Sequence, residues 1–321
     1  MDNPAVAMPA SRPYFGFLHH LSLPCRNLDE SKRFYIEVLG GELYHDTPGF
    51  AEVKIADIII GLSEQAGGWT GHEDEYPHYG LNVDAANFAL GKSWFDACGV
   101  PNYGWTRNFK TALRYFRDPS GNLLELYCVT GFTSVNELEL GPRQGGQPLP
   151  LGALNYRWDG KIGDFSLERP RIESFGHLSM PVRDIEQSKR FYIEVMGGEP
   201  MVTSDPETFT EVRVAGAVVG LSSRGGAWTG RESEFPHYAF HADADNFMPI
   251  IEWLKAQGVV TPGPWTRDGT KGLMYFRDPS GNLLEIYCGR DLAMAKNFPR
   301  GAKQDGTYIT DYAGLFYDWP K

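Results

Sequence analysis

Tyr115-Phe-Arg-Asp-Pro-Ser-Gly-Asn-Leu-Leu-Glu125 returns unchanged as Tyr275-Phe-Arg-Asp-Pro-Ser-Gly-Asn-Leu-Leu-Glu285. Each copy reads as a hairpin, two apolar runs joined by an Asp-Pro-Ser-Gly-Asn turn built of turn-forming residues. Symmetric pairing about Ser280 sets Tyr275 opposite Glu285 on one face of the sheet. A carboxylate in the middle of an apolar strand is strongly disfavoured unless it is paired. Glu125 and Glu285 therefore each call for a cation.

Working outward, the duplication extends over most of the chain. His20-Leu-Ser-Leu-Pro24 recurs as His177-Leu-Ser-Met-Pro181, and Ser31-Lys-Arg-Phe-Tyr-Ile-Glu-Val-Leu-Gly-Gly-Glu42 as Ser188-Lys-Arg-Phe-Tyr-Ile-Glu-Val-Met-Gly-Gly-Glu199. Trp69-Thr-Gly matches Trp228-Thr-Gly, and Pro77-His-Tyr79 matches Pro236-His-Tyr238. The spacing is far longer than the 20–50 residues of a solenoid, so the chain is a duplicated domain. Within the first copy, a strand near Phe17–Leu23 leads to a helix capped by Asn27, with Glu30 three residues on, and stopped at Gly40-Gly41. Short strands follow through Leu62. The order then restarts with a strand near His78–Val83, a helix over Asp84–Cys98 ended by Gly99, and two further strands. The fold class predicted is α+β: four βαβββ modules arranged as two duplicated domains, residues 15–130 and 172–290. Residues 131–171, with Gly141-Pro-Arg-Gln-Gly-Gly-Gln-Pro148, read as a linker. Residues 291–321 read as an aromatic tail that covers a pocket.

The 321-residue length suits two domains, and 42% hydrophobic with 22% charged residues is a globular composition. The net charge of −11 disfavours nucleic acid or an anionic membrane surface as partner. The longest apolar run, Ile55–Leu62, is short and broken by Asp57, and Met1–Tyr14 lacks the pattern of a signal peptide. Cys25, Cys98, Cys128 and Cys288 stand singly and read as reduced thiols. A cytoplasmic protein that forms a homo-oligomer is expected. No phosphate loop, dinucleotide fingerprint or nucleophile elbow is present. Gly67-Gly68 and Gly225-Gly226 read as loop glycines.

Each copy carries two strand histidines with its buried glutamate: His20, His78 and Glu125 in the first, His177, His237 and Glu285 in the second. Two imidazoles and a carboxylate suit a divalent first-row metal and leave coordination positions open. The second set is preferred, with the first as a possible second site. Tyr275, opposite Glu285, is placed to hydrogen-bond a substrate or carry a proton. His241 follows His237 by four residues on the same strand face, roughly 13 Å away, and lines the pocket. Arg267, matched by Arg107, is a candidate for holding an anionic substrate. His19, His45 and His72 have no matching histidine and receive no role.

These motifs together resemble the vicinal oxygen chelate superfamily, which includes glyoxalase I, fosfomycin-resistance proteins, bleomycin-binding proteins and type I extradiol dioxygenases. The four-module length looks most like an extradiol dioxygenase. That resemblance implies Fe(II), or Mn(II), on His177, His237 and Glu285, with Tyr275 as the active-site tyrosine. The implied substrates are a catechol-like diol and O2. The family's histidine before the tyrosine is replaced by Thr266-Arg267-Asp268, and residues 178–236 contain no histidine acid. The alternatives are a glyoxalase-type isomerase, lyase or thiol transferase, whose fourth ligand would fall at Ser63 and Ser222, and a metal-free binding protein of the bleomycin-resistance type.

Overall fold

A computed structural model describes residues 12–64, 74–162, 166–201, 203, 206–224 and 233–320. The loop glycines Gly67, Gly68, Gly225 and Gly226, the Trp69 and Trp228 motifs and His72 lie outside the described residues. The fold is α+β with four modules. The first holds β1 (Leu18–Pro24), α1 (Leu28–Arg33), β2 (Glu42–Thr47), β3 (Phe50–Ile55) and β4 (Ile58–Ser63). The second holds β5 (His78–Asn82), α2 (Ala85–Ala97), β6 (Asn102–Arg107), β7 (Thr111–Arg117) and β8 (Leu123–Cys128), followed by the short β9 (Glu139–Leu140). The third has β10 (Ser174–Pro181), α3 (Ile185–Arg190), β11 (Glu199–Pro200), β12 (Phe209–Val214) and β13 (Ala217–Ser222). The fourth has β14 (His237–His241), α4 (Ala244–Ala256), β15 (Gly272–Arg277) and β16 (Leu283–Cys288).

Local signals act as the sequence predicts. Asn27 Oδ1 accepts the Glu30 N–H at 2.9 Å, and Asp84 Oδ1 accepts that of Asn87 at 2.8 Å, so both helices start on a side-chain cap. Gly40 and Gly99, with φ of +82° and +68°, end the helical stretches in the left-handed conformation that glycine adopts without strain. The hairpin turn closes around the Asp278 carboxylate, which accepts the N–H groups of Ser280 and Asn282 at 2.9 Å and the Tyr192 hydroxyl at 3.0 Å. The resulting register pairs Tyr275 with Glu285, and Tyr115 with Glu125.

Sheet pairing crosses the repeat. One seven-stranded sheet has the order β15-β16-β14-β1-β4-β3-β2, joining module one to module four. The other, nine-stranded, runs β11-β12-β13-β10-β5-β8-β7-β6-β9 and joins module three to module two. The seams are antiparallel: β1 lies on β14 with Ser22 opposite His237, and β10 lies on β5 with Ser179 opposite His78. Helices pair the other way, within each copy. Trp94 of α2 donates to the Val38 carbonyl after α1, and Trp253 of α4 donates to that of Val195 after α3. One continuous apolar core therefore runs through both copies, and at its centre the Tyr79 and Tyr238 hydroxyls meet at 3.2 Å.

The segment read as a linker and the tail are copies too. Tyr156 and Tyr317 donate to the carbonyls of Arg117 and Arg277, while Trp158 and Trp319 donate to those of Cys98 and Gln257. Each segment is an arm packed on its own copy, which corrects the picture of residues 131–171 as a simple connector. Among the described residues no helix is long and apolar enough to cross a membrane.

Candidate metal centre

The seam between β1 and β14 brings three buried side chains to one sheet face. His20 stands opposite Ala239, Ser22 opposite His237, and Ala239 opposite Glu285 on β16. Directly opposed residues share a face, so His20, His237 and Glu285 converge. Their ligand atoms lie within 4.8 Å of one another. Glu285 Oε2 is 3.1 Å from His237 Nε2 and 3.6 Å from His20 Nε2. The second seam does the same for His78, His177 and Glu125: Glu125 Oε2 is 3.5 Å from His78 Nε2 and 3.4 Å from His177 Nε2.

This corrects the expected ligand sets. His177 does not join His237 and Glu285, and His20 does not join His78 and Glu125; the first histidine of each copy serves the other copy's glutamate. The reason is the seam itself, since β1 hydrogen-bonds to β14 and not to β5.

Both clusters could hold a cation. Glu285 and Glu125 are 0% exposed, and both oxygens of each carboxylate lack a hydrogen-bond partner, as does His237 Nε2. An ionised carboxylate so placed carries a large desolvation cost. In the first cluster burial pushes the Glu285 carboxyl up, but the His20 and His237 imidazoles outweigh it and hold the group below the usual carboxylate range. In the second, burial prevails and lifts Glu125 to about 7, while His177 is pushed down to about 4 by burial and by Arg107. The outer nitrogens are already oriented. His237 Nδ1 lies 2.8 Å from the Glu234 carbonyl, and His78 Nδ1 lies 2.9 Å from that of Glu75. These acceptors place the proton on Nδ1 and leave Nε2 free to bind.

Around the first cluster, the Tyr275 ring lies 5.2 Å from His237, and its hydroxyl donates to Glu234 Oε1 at 2.9 Å. Burial holds the phenol protonated, well above its ordinary range. Lys303, from the C-terminal arm, donates to Glu234 Oε2 at 2.6 Å. Burial acts to raise the Glu234 carboxyl, yet His237, Lys303 and Tyr275 hold it below its ordinary value. Arg267 is oriented over the Phe50 ring at 5.6 Å, with its Nε unpartnered. Burial would discharge it, but Tyr275, Glu285, Glu52 and Glu234 keep it firmly cationic.

A cleft of about 840 Å³ opens here, lined by His19, His45, Glu52, Arg267, Tyr287 and Lys303. A smaller hollow of about 410 Å³ beneath the arm shares Glu234, Trp265 and Lys303 with it. His241 is not among the cleft's lining residues. Its ring stacks on Phe17 at 4.7 Å, one ring beyond His19, and its Nδ1 lies 3.9 Å from Asp243. His19, which the sequence left without a role, takes that place. Strand alternation would turn it away from His20, but β1 shifts register between Leu18 and His20, and this bulge re-aims the side chain. His19 Nδ1 then lies 2.9 Å from His20 Nδ1. Glu234 and Glu75 were also missed, because each acts from a loop next to a cis proline turn and carries no strand pattern. Ser63 lines the cleft.

The chain belongs to the Glyoxalase/Bleomycin resistance protein/Dioxygenase superfamily, whose signature matches residues 17–126 and again 174–286. Among curated relatives, glutathione transferase FosA of Serratia marcescens is 25% identical over 119 residues, 37% of this chain and 82% of its own length. Biphenyl-2,3-diol 1,2-dioxygenase of Paraburkholderia xenovorans is 30% identical over 152 residues, 45% of this chain and 48% of its own length. In shape, a Bacillus subtilis chain provisionally described as a dioxygenase aligns with TM-score 0.61 at 18% identity, covering 88% of both chains. Glyoxalase I of Zea mays aligns with TM-score 0.53 at 14% identity, covering 85% of this chain and 92% of its own.

Proposed function

We propose that the protein is a non-haem Fe(II) dioxygenase that opens the ring of an aromatic diol, with His20, His237 and Glu285 as the metal ligands and the cleft above them as the substrate site. The observation that carries this reading is the buried Glu285 carboxylate between two imidazoles, with neither oxygen hydrogen-bonded, next to His19, Glu234 and Tyr287 of the cleft wall. The iron, when bound, supplies the open coordination positions at which diol and O2 meet.

The chain's own groups do the rest. Arg267 is a permanent cation at the cleft wall and stabilises negative charge that develops on the substrate oxygens. Tyr275 holds a proton above the cluster and, through Glu234 and Lys303, has a route by which that proton is replaced. His19 stands at the cleft wall beside His20, and burial and that neighbouring imidazole push it down to about 3, so it meets the substrate as a neutral imidazole. Trp265, Phe50 and Phe235 give the cleft aromatic walls for a flat ring. The curated diol dioxygenase supports this chemistry; the curated glutathione transferase supports a thiol transferase, which needs no O2.

The test is metal content and oxygen uptake on protein purified anaerobically. Iron loading with diol-dependent O2 consumption is the expected result. Thiol-dependent turnover without O2, or full metal loading of a Glu285→Gln, Glu125→Gln double variant, would overturn the reading.

A further inference from the structure

Both seams carry a bulge at the same place. The register of β1 on β14 shifts between Leu18 and His20, and that of β10 on β5 shifts between Phe175 and His177. His19 and Gly176 occupy the two bulge positions. At Gly176 a Cβ would come within 2.6 Å of Asn82 Oδ1. Where the other seam has Asn82, the first has His241, whose ring stacks on Phe17 at 4.7 Å. Here the bulge carries a side chain. The His19 ring packs on Tyr287 at 4.6 Å and lies 6.4 Å from that of His241, and its Nδ1 lies 2.9 Å from His20 Nδ1.

Two ring nitrogens at that distance share one proton, so one ring donates and the other accepts. His20 Nε2 faces Glu285 Oε2 at 3.6 Å and is the nitrogen that the cluster uses. A neutral imidazole that offers Nε2 as a ligand carries its proton on Nδ1. His20 Nδ1–H must then donate to His19 Nδ1, and the proton of His19 is left on Nε2. Among the described residues no hydrogen bond engages that nitrogen, and the half-buried His19 ring lines the cleft. His237, the other histidine of the cluster, is oriented by the Glu234 carbonyl at 2.8 Å. A carbonyl only accepts, and the chain of hydrogen bonds ends there. An imidazole in the same office accepts at one nitrogen and offers a donor at the other.

We propose that His19 is a positioning residue that works in two directions: its Nδ1 accepts from His20 and keeps His20 Nε2 turned to the cluster, and its Nε2–H is a hydrogen-bond donor in the cleft for an acceptor oxygen of the substrate. The proposal rests on the reading of His20 as a metal ligand, and its measurements require neither O2 nor turnover.

Three substitutions in the full-length Glu125→Gln chain separate the two directions. His19→Asn sets a carbonyl oxygen where Nδ1 stands and lacks the farther donor. His19→Gln carries its amide to the reach of Nε2 and vacates the nearer place, and His19→Phe keeps a ring but loses both. Zn(II) titration should give His19→Asn an affinity close to that of the parent chain, and His19→Gln and His19→Phe a loss of roughly 10–100-fold, the usual contribution of a ligand's supporting partner. Zinc has no redox chemistry, so catechol binding to the zinc-saturated proteins reads the cleft donor alone. Its affinity should hold in His19→Gln and fall by roughly 2–12-fold, the worth of one hydrogen bond, in His19→Asn and His19→Phe. Nitrogen-15 spectra of the zinc form should show His19 protonated at Nε2 and bare at Nδ1. A proton on His19 Nδ1, or equal zinc affinity in His19→Asn and His19→Phe, overturns the orienting role. Catechol affinity unchanged by His19→Phe overturns the donor. Zinc that leaves His20 Nε2 unliganded removes His20 from the metal cluster of the ring-opening reading, and this proposal with it.

Discussion

Replacing His20 with alanine distinguishes the seam-built cluster from one confined to a single copy. His20 comes from module one, whereas His237 and Glu285 come from module four, so the change should empty the site below the cleft although nothing in its own copy has been touched. Losing a direct ligand should weaken metal binding by more than the roughly 100-fold that a supporting residue alone can cost. Without metal, Glu285 loses one of the two imidazoles facing it, the more distant one at 3.6 Å, and keeps His237 at 3.1 Å. Breaking a buried charged pair costs about 3–5 kcal/mol, and with the nearer partner retained the lower figure applies. At about 2 °C per kcal/mol for a chain of this size, the apo protein should melt roughly 6 °C lower. The assay is anaerobic Fe(II) titration in a Glu125→Gln background, where only this site can load, paired with thermal melts of the apo forms. His177→Ala in the same background is the control and should keep its iron. Iron retained by His20→Ala and lost by His177→Ala would refute the cross-copy assembly.

Tyr275→Phe should leave iron content unchanged and lower turnover by about 10²–10⁴-fold, the usual contribution of a positioned proton donor; steady-state rates at matched iron occupancy check this. Lys303→Met bears on the Glu234 carboxyl, which the folded protein holds below its unfolded value with help from Lys303, His237 and Tyr275. A depressed carboxyl stabilises the fold above its unfolded pKa of about 4.3, and the gain is lost as pH falls through the folded value. The variant should therefore melt lower than wild type at pH 7, by no more than about 1 kcal/mol given the exposure of Lys303, and the difference should shrink as pH falls below about 4.3. Melting curves from pH 3 to 8 give the comparison, and a constant difference across that range would remove Lys303 from the relay.

What was legible in the sequence was what local chemistry decides. The Asp278 turn has enough acceptors to close one register only, so Tyr275 had to face Glu285. Asn27 and Asp84 started helices, and Gly40 and Gly99 stopped them. What was not legible depends on contacts far apart in the chain. No residue of β1 states whether its neighbour is β5 or β14, because the two candidates carry the same Pro-His-Tyr start. The alternation rule hid His19, since a bulge is a property of the paired strands and not of one of them. The arms escaped notice for a different reason: their similarity is confined to anchor residues such as Tyr156, Trp158, Tyr317 and Trp319, separated by stretches that differ.

The exchange of first histidines follows from how the copies interlock. Each copy is held together through its helices, Trp94 on the end of α1 and Trp253 on the end of α3, but neither can finish a sheet alone. An isolated first copy would hold His78 beside Glu125 on β5 and β8, 3.5 Å apart, and present His20 on β1, which meets neither. It could complete a cluster only by docking a second copy of itself, so that β1 of each lies on β5 of the other. The full-length chain contains that arrangement within one polypeptide, which frees the two clusters to diverge. Ala239 for Gly80 and His19 for Gly176 are among the differences that result. The second sets an imidazole beside one cluster, at the wall of its cleft, and leaves a glycine beside the other.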